Sequence, residues 1–291
     1  MLGLQAVGGW QRGDARRILE TVVAVTEGTL STGLPYLRLG HRPPLLMAAG
    51  LSPEHTNPTG IWRRIYLSAA LPFAEHFTVY LANRKVGLEP GATIADIAAD
   101  YARAIEGDLG QPVMMHGTST GGSVALQVAI NYPELVQRLV LASAACRLSP
   151  FARQVQAEVA RLTREGHPRR ASAHIMKTLA PRPFAYAARG FGWLTGGSFD
   201  MDDPSDMLVT IDAEDSFDVE SYLIDVKAPT LVLGGAADHF YSEELFRRTA
   251  AGIPDGRAVI FPGKGHIWAA SSKTSTSIAL GFLIGGRRSS R

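Results

Sequence analysis

Pro112-Val-Met-Met-His-Gly-Thr-Ser-Thr-Gly-Gly-Ser-Val-Ala-Leu-Gln127 is the stretch on which the fold of this chain turns. Its first five residues form an apolar run of strand length, and from Gly121 onward the pattern is helical. Between them, Gly117-Thr118-Ser119-Thr120-Gly121 makes the passage from strand to helix very short. A side chain at either flanking glycine would crowd so sharp a turn, and the turn holds Ser119 in a strained backbone conformation. That strain aims the Ser119 hydroxyl away from the sheet. The helix that follows points its first N–H groups at the same place, where a developing negative charge would be stabilised. A Gly-x-Ser-x-Gly match is expected about 0.2 times by chance at this composition, so the weight rests on its setting between a strand and a helix. The alternative, an ordinary N-cap serine, needs no glycine on both sides in this register.

Outward from this turn, short apolar runs alternate with helix-length segments. The strand-like runs are Thr21–Glu27, Leu34–Leu39, Pro44–Ala49, Phe77–Ala82, Pro112–His116, Val136–Ala142, Thr230–Gly234 and Arg257–Phe261. The first two read as a hairpin. Helical patterns over Ile94–Ile105, Gly121–Asn131 and Ser242–Ala251 separate later runs. Strands apolar on both faces and joined by helices predict an α/β fold: a mostly parallel eight-stranded sheet flanked by helices.

The rhythm breaks once. Residues 147–226 hold helix-like patterns and no buried strand, which predicts a helical lid inserted after strand 6, with 1–146 and 227–291 as the core. Its charge is divided: 147–190 carry nine Arg and Lys against Glu158 and Glu165, whereas 198–225 carry ten Asp and Glu and no Arg or Lys. Two readings stay open, solvated faces that partly pair with each other or a basic surface that steers an anionic substrate.

A serine needs a base within hydrogen-bond reach and a group to orient that base. Pro229-Thr-Leu-Val-Leu-Gly-Gly-Ala-Ala-Asp238 reads as a buried strand with Asp238 beyond its carboxyl end, where α/β sheets form their ligand crevice. Val259-Ile-Phe-Pro-Gly-Lys-Gly-His266 reads as the last strand and a Gly-rich loop that brings an imidazole to the same edge. The stretch after strand 6, Leu141–Ser149, has no carboxylate; Asp215 is the alternative acid.

The order Ser119, Asp238, His266, each after a strand, resembles the α/β-hydrolase family, with the likeness running from about residue 20. The resemblance implies that Ser119 is the nucleophile, His266 the general base and then acid, and Asp238 the orienting carboxylate. It implies oxyanion donors at the backbone N–H of Thr120 and, in the loop Met47–His55, of Leu51. The chain departs from many members where Ala49-Gly50 replaces a His-Gly pair and where Thr118 and Thr120 flank the serine. Serine at the Gly117–Gly121 turn argues against the epoxide hydrolases and haloalkane dehalogenases of the family, which need a carboxylate there.

The activity implied is cleavage of a carboxylic ester, lactone or thioester through an acyl-enzyme on Ser119, with a small-molecule substrate and no cofactor. C–C bond hydrolysis, intramolecular acyl transfer, amide hydrolysis and a small-ligand binding protein are the alternatives. Gly50 and Trp193 are candidate substrate-binding residues. Trp62, Phe151, Tyr186, Phe191, Trp193 and Tyr222 read as core or lid packing, some of them lining the pocket. His116 reads as a hydrogen-bonded core residue and Cys146 as a buried thiol.

Composition narrows the rest. With 46% hydrophobic and 19% charged residues in 291, the chain can bury a large core. A net charge of +2 does not suggest a nucleic-acid binder, and a single cysteine excludes an internal disulfide. No metal-ligand spacing is present among the histidines. Met1–Arg17 lack the apolar block of a signal peptide and no apolar run is long enough to span a membrane, which predicts a cytoplasmic protein without a membrane partner.

Overall fold

A computed structural model describes residues 24–53, 56–180, 182–196 and 203–285. Eight strands form one sheet: β1 Thr26–Thr29, β2 Pro35–Leu39, β3 Pro44–Ala48, β4 Thr78–Ala82, β5 Val113–Thr118, β6 Val136–Ala142, β7 Thr230–Gly235 and β8 Gly256–Phe261. Their spatial order is β1-β2-β4-β3-β5-β6-β7-β8. β2 is antiparallel to both β1 and β4, and every other pair is parallel. The first strand begins later than the sequence pattern suggests and runs on to Thr29, because pairing with β2 and the tight Leu30–Gly33 turn set its register; Thr21–Val23 lie outside the described residues.

Side-chain alternation explains the continuous apolar runs. On β3, Leu46 and Ala48 face the layer of α2 (Ile94–Ala104), α3 (Thr120–Asn131) and α8 (Glu243–Gly252). Leu45 and Met47 face the opposite layer, built from α1 (Gly60–Ala74), α9 (His266–Ser271) and α10 (Lys273–Ile284). Both faces are covered, so neither needs polar residues.

β3 and β5 are neighbours although β4 comes between them in the chain, so their carboxyl ends lie together at the point where strand order reverses. Ala48 is paired with Gly117 there. A crevice at such a reversal is what topology provides to a ligand.

Between β6 and β7 the described residues form four α-helices: α4 Pro150–Arg164, α5 Pro168–Leu179, α6 Ala185–Thr195 and α7 Ser205–Asp215. The start of α4 is dictated locally: Ser149 accepts from the Ala152 N–H, and Pro150, which lacks an N–H, leaves no unpaired donor at its own position. The insert carries its own apolar cluster of Val159, Ala160, Leu162, Ala171, Met207 and Ile211, against which Leu51 packs. Its neck is closed where the Val219 N–H donates to the Cys146 carbonyl and Arg147 pairs with Asp218 at 3.1 Å and Glu220 at 2.8 Å. Arg164 reaches Asp212 at 3.1 Å. The basic and acidic stretches therefore pair in part, through exposed contacts each worth little.

Candidate functional site

At the end of β5, Ser119 has φ 52° and ψ −126°, a strained backbone for a residue with a side chain. The flanking glycines are required by close approach. A Cβ on Gly121 would sit 2.2 Å from the Ala48 carbonyl oxygen, and one on Gly117 would sit 2.4 Å from that of Gly121. Gly122 is a third requirement that sequence reasoning passed over, since its Cβ would lie 2.2 Å from that of Ala144.

Ser119 Oγ lies 3.1 Å from His266 Nε2, and His266 Nδ1 lies 2.8 Å from Asp238 Oδ2. The three residues read from separate loops thus form one hydrogen-bonded chain. Both carboxylate oxygens of Asp238 are engaged: Oδ1 accepts from the N–H groups of Phe240, at 2.8 Å, and Tyr241, at 3.3 Å. Asp238 and His266 are buried. Asp215, the alternative acid, stands apart on α7; burial and the neighbouring Glu214 charge push its carboxyl up to about 6.

Ser143, at the end of β6, is the second non-glycine residue with positive φ, at 50°. Its hydroxyl donates to the His266 carbonyl at 2.7 Å and so ties the histidine loop to the sheet. The Tyr241 ring stacks on the imidazole at 6.0 Å and 13°, and Phe240 lies 5.3 Å away. None of these three was singled out from sequence. The hydrophobic character of Phe240 and Tyr241 and the ordinary look of a serine after a strand carried no signal for the role.

Thr120 opens α3 with its side chain turned toward the insert, where Oγ1 donates to Glu214 at 2.7 Å. Gly50 lies against the turn: a Cβ there would be 3.5 Å from that of Ser119. Among the described residues, the N–H groups of Thr120 and Leu51 donate to no other backbone carbonyl.

A crevice of about 380 Å³ adjoins Asp238 and His266, lined by Leu179, Ala180 and Pro183 of the insert and by His239 and Phe240. Trp193 does not line it. Gly192 of α6 packs against α5, where a Cβ would meet the Ser172 carbonyl at 2.6 Å, and that contact turns the flanking side chains outward. Trp193 is 48% exposed with the Arg169 guanidinium 5.0 Å over its ring. Phe151, Tyr186, Phe191 and Tyr222 are likewise exposed, which corrects their reading as core residues.

His116 is buried on β5 with Phe73 edge-on at 5.7 Å, and burial pushes its imidazole down to about 4. It is a neutral core residue, and among the described residues its Nδ1 has no hydrogen-bond partner. Cys146 is buried and its thiol is pushed up by desolvation. Among the described residues no cluster of His, Cys, Asp and Glu could hold a metal ion, and no helix is long and apolar enough to cross a membrane.

The chain belongs to the alpha/beta hydrolase family, whose model matches residues 40–273. It is 26% identical over 217 residues to a Variovorax paradoxus protein provisionally named carbamate hydrolase RutD, covering 68% of this chain and 77% of that one. Over 64 residues, 22% of the chain, it is 41% identical to homoserine O-acetyltransferase of Thermus thermophilus, and that match spans 17% of the relative. A hydrolase from Pseudomonas aeruginosa superposes with a TM-score of 0.72 at 19% identity, covering 90% of this chain and 98% of the other.

Proposed function

We propose that this protein is a serine hydrolase that cleaves a carboxylic ester, lactone or thioester of a small molecule through an acyl-enzyme on Ser119. The observation that carries the reading is the chain of two hydrogen bonds from Ser119 through His266 to Asp238, at 3.1 and 2.8 Å. His266 Nε2 takes the Ser119 proton as Oγ adds to the substrate carbonyl carbon. Asp238 keeps the other imidazole proton on Nδ1 and stabilises the imidazolium that forms. The N–H groups of Thr120 and Leu51 receive the oxyanion. Collapse of the tetrahedral intermediate breaks the bond to the leaving group, which takes the proton back from His266. Water, deprotonated by the same imidazole, then attacks the acyl-enzyme and frees Ser119.

In this reading residues 147–226 act as a lid over the 380 Å³ crevice, and the Leu179, Ala180, Pro183 and Phe240 part of its lining suits an apolar acyl or alcohol group. Gly50 leaves room for substrate beside the serine. The similarity to an acetyltransferase over 64 residues favours one second reading, transfer of the same acyl group to an alcohol instead of water. Both share the acyl-enzyme.

Intact mass after treatment with a fluorophosphonate tests the proposal. One adduct on the native chain and none on Ser119→Ala is the expected result. No adduct on the native chain, or an adduct that survives the substitution, would overturn it. Added alcohols then separate the two readings: ester formation in place of free acid identifies the transferase.

A further inference from the structure

Glu214 is a fully buried carboxylate that the scheme above leaves without a task. It lies near the end of α7, and four side chains from three other segments donate to it. Oε2 accepts from Thr120 Oγ1 at 2.7 Å and from Gln156 Nε2 at 2.9 Å. Oε1 accepts from Ser123 Oγ at 3.1 Å and from the Tyr241 hydroxyl at 3.2 Å. Glu214 forms no ion pair among the described residues. Neutral donors alone offset its desolvation, an arrangement that an apolar side chain would avoid altogether.

Two of the donors lead to the reacting groups. Thr120 follows Ser119, and the peptide joining them carries the N–H aimed at the oxyanion. Tyr241 stacks on His266, and its own N–H holds Asp238. One carboxylate therefore grips both arms of the site, the serine turn and the acid–histidine loops, from a helix of the insert.

We infer that Glu214 is a positioning residue: it fixes the Thr120 peptide for the oxyanion and the Tyr241 ring against the imidazole, coupling the insert to the chemistry. The inference rests on the serine-hydrolase reading. Its action is geometric, because a hydroxyl pinned at 2.7 Å leaves the Thr120 Cα little freedom to rotate, and the direction of the N–H follows. Oxyanion donors count only when they meet the transition-state oxygen, so loss of the tie lowers kcat and spares KM.

The test uses the full chain with p-nitrophenyl acetate and a fluorophosphonate. Glu214→Gln keeps the side-chain volume but offers one acceptor oxygen in place of two. Thr120→Val removes a single donor and leaves the backbone N–H. Each variant is expected to lower kcat and the second-order phosphonylation rate together by about 10- to 30-fold, with KM unchanged. Because the Thr120 contact is one of the two arms that Glu214 holds, the double variant is expected to lose little more than Glu214→Gln alone. Native rates in a folded Glu214→Gln, or additive losses in the double variant, would overturn the inference. Should Glu214→Gln not fold, Thr120→Val decides: kcat at the native value overturns it. Failure of the native protein to react with the fluorophosphonate would instead remove the serine-hydrolase reading, so the two failures are distinguishable.

Discussion

The carboxyl edge of the sheet and the helical insert each bring a buried carboxylate to the neighbours of Ser119, by opposite routes. Asp238 arrives by topology: it follows a strand two places from β5 in the sheet, and a short loop delivers it. Glu214 arrives by packing, 94 residues from the Thr120 it touches and on a helix that pairs with no strand. Asp238 meets the His266 imidazole at 2.8 Å and is held by two backbone N–H groups. Glu214 meets four neutral donors and can only hold them in place. A sheet edge collects chemistry because parallel strands end together, whereas an insert acts on that chemistry through whatever surface it lays against it.

The sharpest challenge to this contrast is removal of the edge residues. Ser119→Ala and His266→Ala are expected to cut kcat on p-nitrophenyl acetate by on the order of 10⁴ to 10⁶, and Asp238→Asn by somewhat less. Retention of activity in Ser119→Ala would end the proposed function. The framework beneath those residues comes next. Gly121→Ala drives a Cβ to 2.2 Å from the Ala48 carbonyl and is expected to cost about 3 kcal/mol or more, read by urea denaturation.

Two titrations compare the regions with opposite sign. His116, in the sheet, is pushed down from 6.5 to about 4. Stability from its neutral form is full above pH 6.5 and drains away as pH falls through 4, a loss on the order of 3 kcal/mol. His116→Leu should flatten that part of the urea-midpoint profile, and an unchanged profile would refute it. Asp215, in the insert, is pushed up from 3.8 to about 6. Its charge costs stability as pH rises through that window, so Asp215→Asn should stabilise the protein at pH 8 and not at pH 4. Because the group is only partly buried, solvent screening keeps the gain below about 1 kcal/mol. A thermal shift of equal size at both pH values would contradict the sign.

Particular residues mark how far the sequence could be read. The turn around Ser119 was legible because glycine, serine and the change from period two to period 3.6 fall within five residues. Asp238 and His266 were legible because each follows an apolar run that had to be a strand. Trp193 marks a limit, since an aromatic in an insert gives no clue to which face it occupies; Gly192 settles that face by close packing against α5. Ser143 passed unnoticed because positive φ at a serine has no local signature. Glu214 sat within a run of acids that reads as a solvated face, yet its surroundings supply hydroxyl and amide donors.

Local chemistry accounts for the strands, the capped starts of α2, α4, α8 and α10 and the three residues at strand ends, since periodicity, caps and glycine turns act over a few residues and parallel strands align their own carboxyl ends. The path of the insert, the outward turn of Trp193 and the grip of Glu214 on Thr120 and Tyr241 depend on packing between segments far apart in the chain. Pair distances of that kind have no local pattern, because a buried polar group is defined by the partners that folding brings to it.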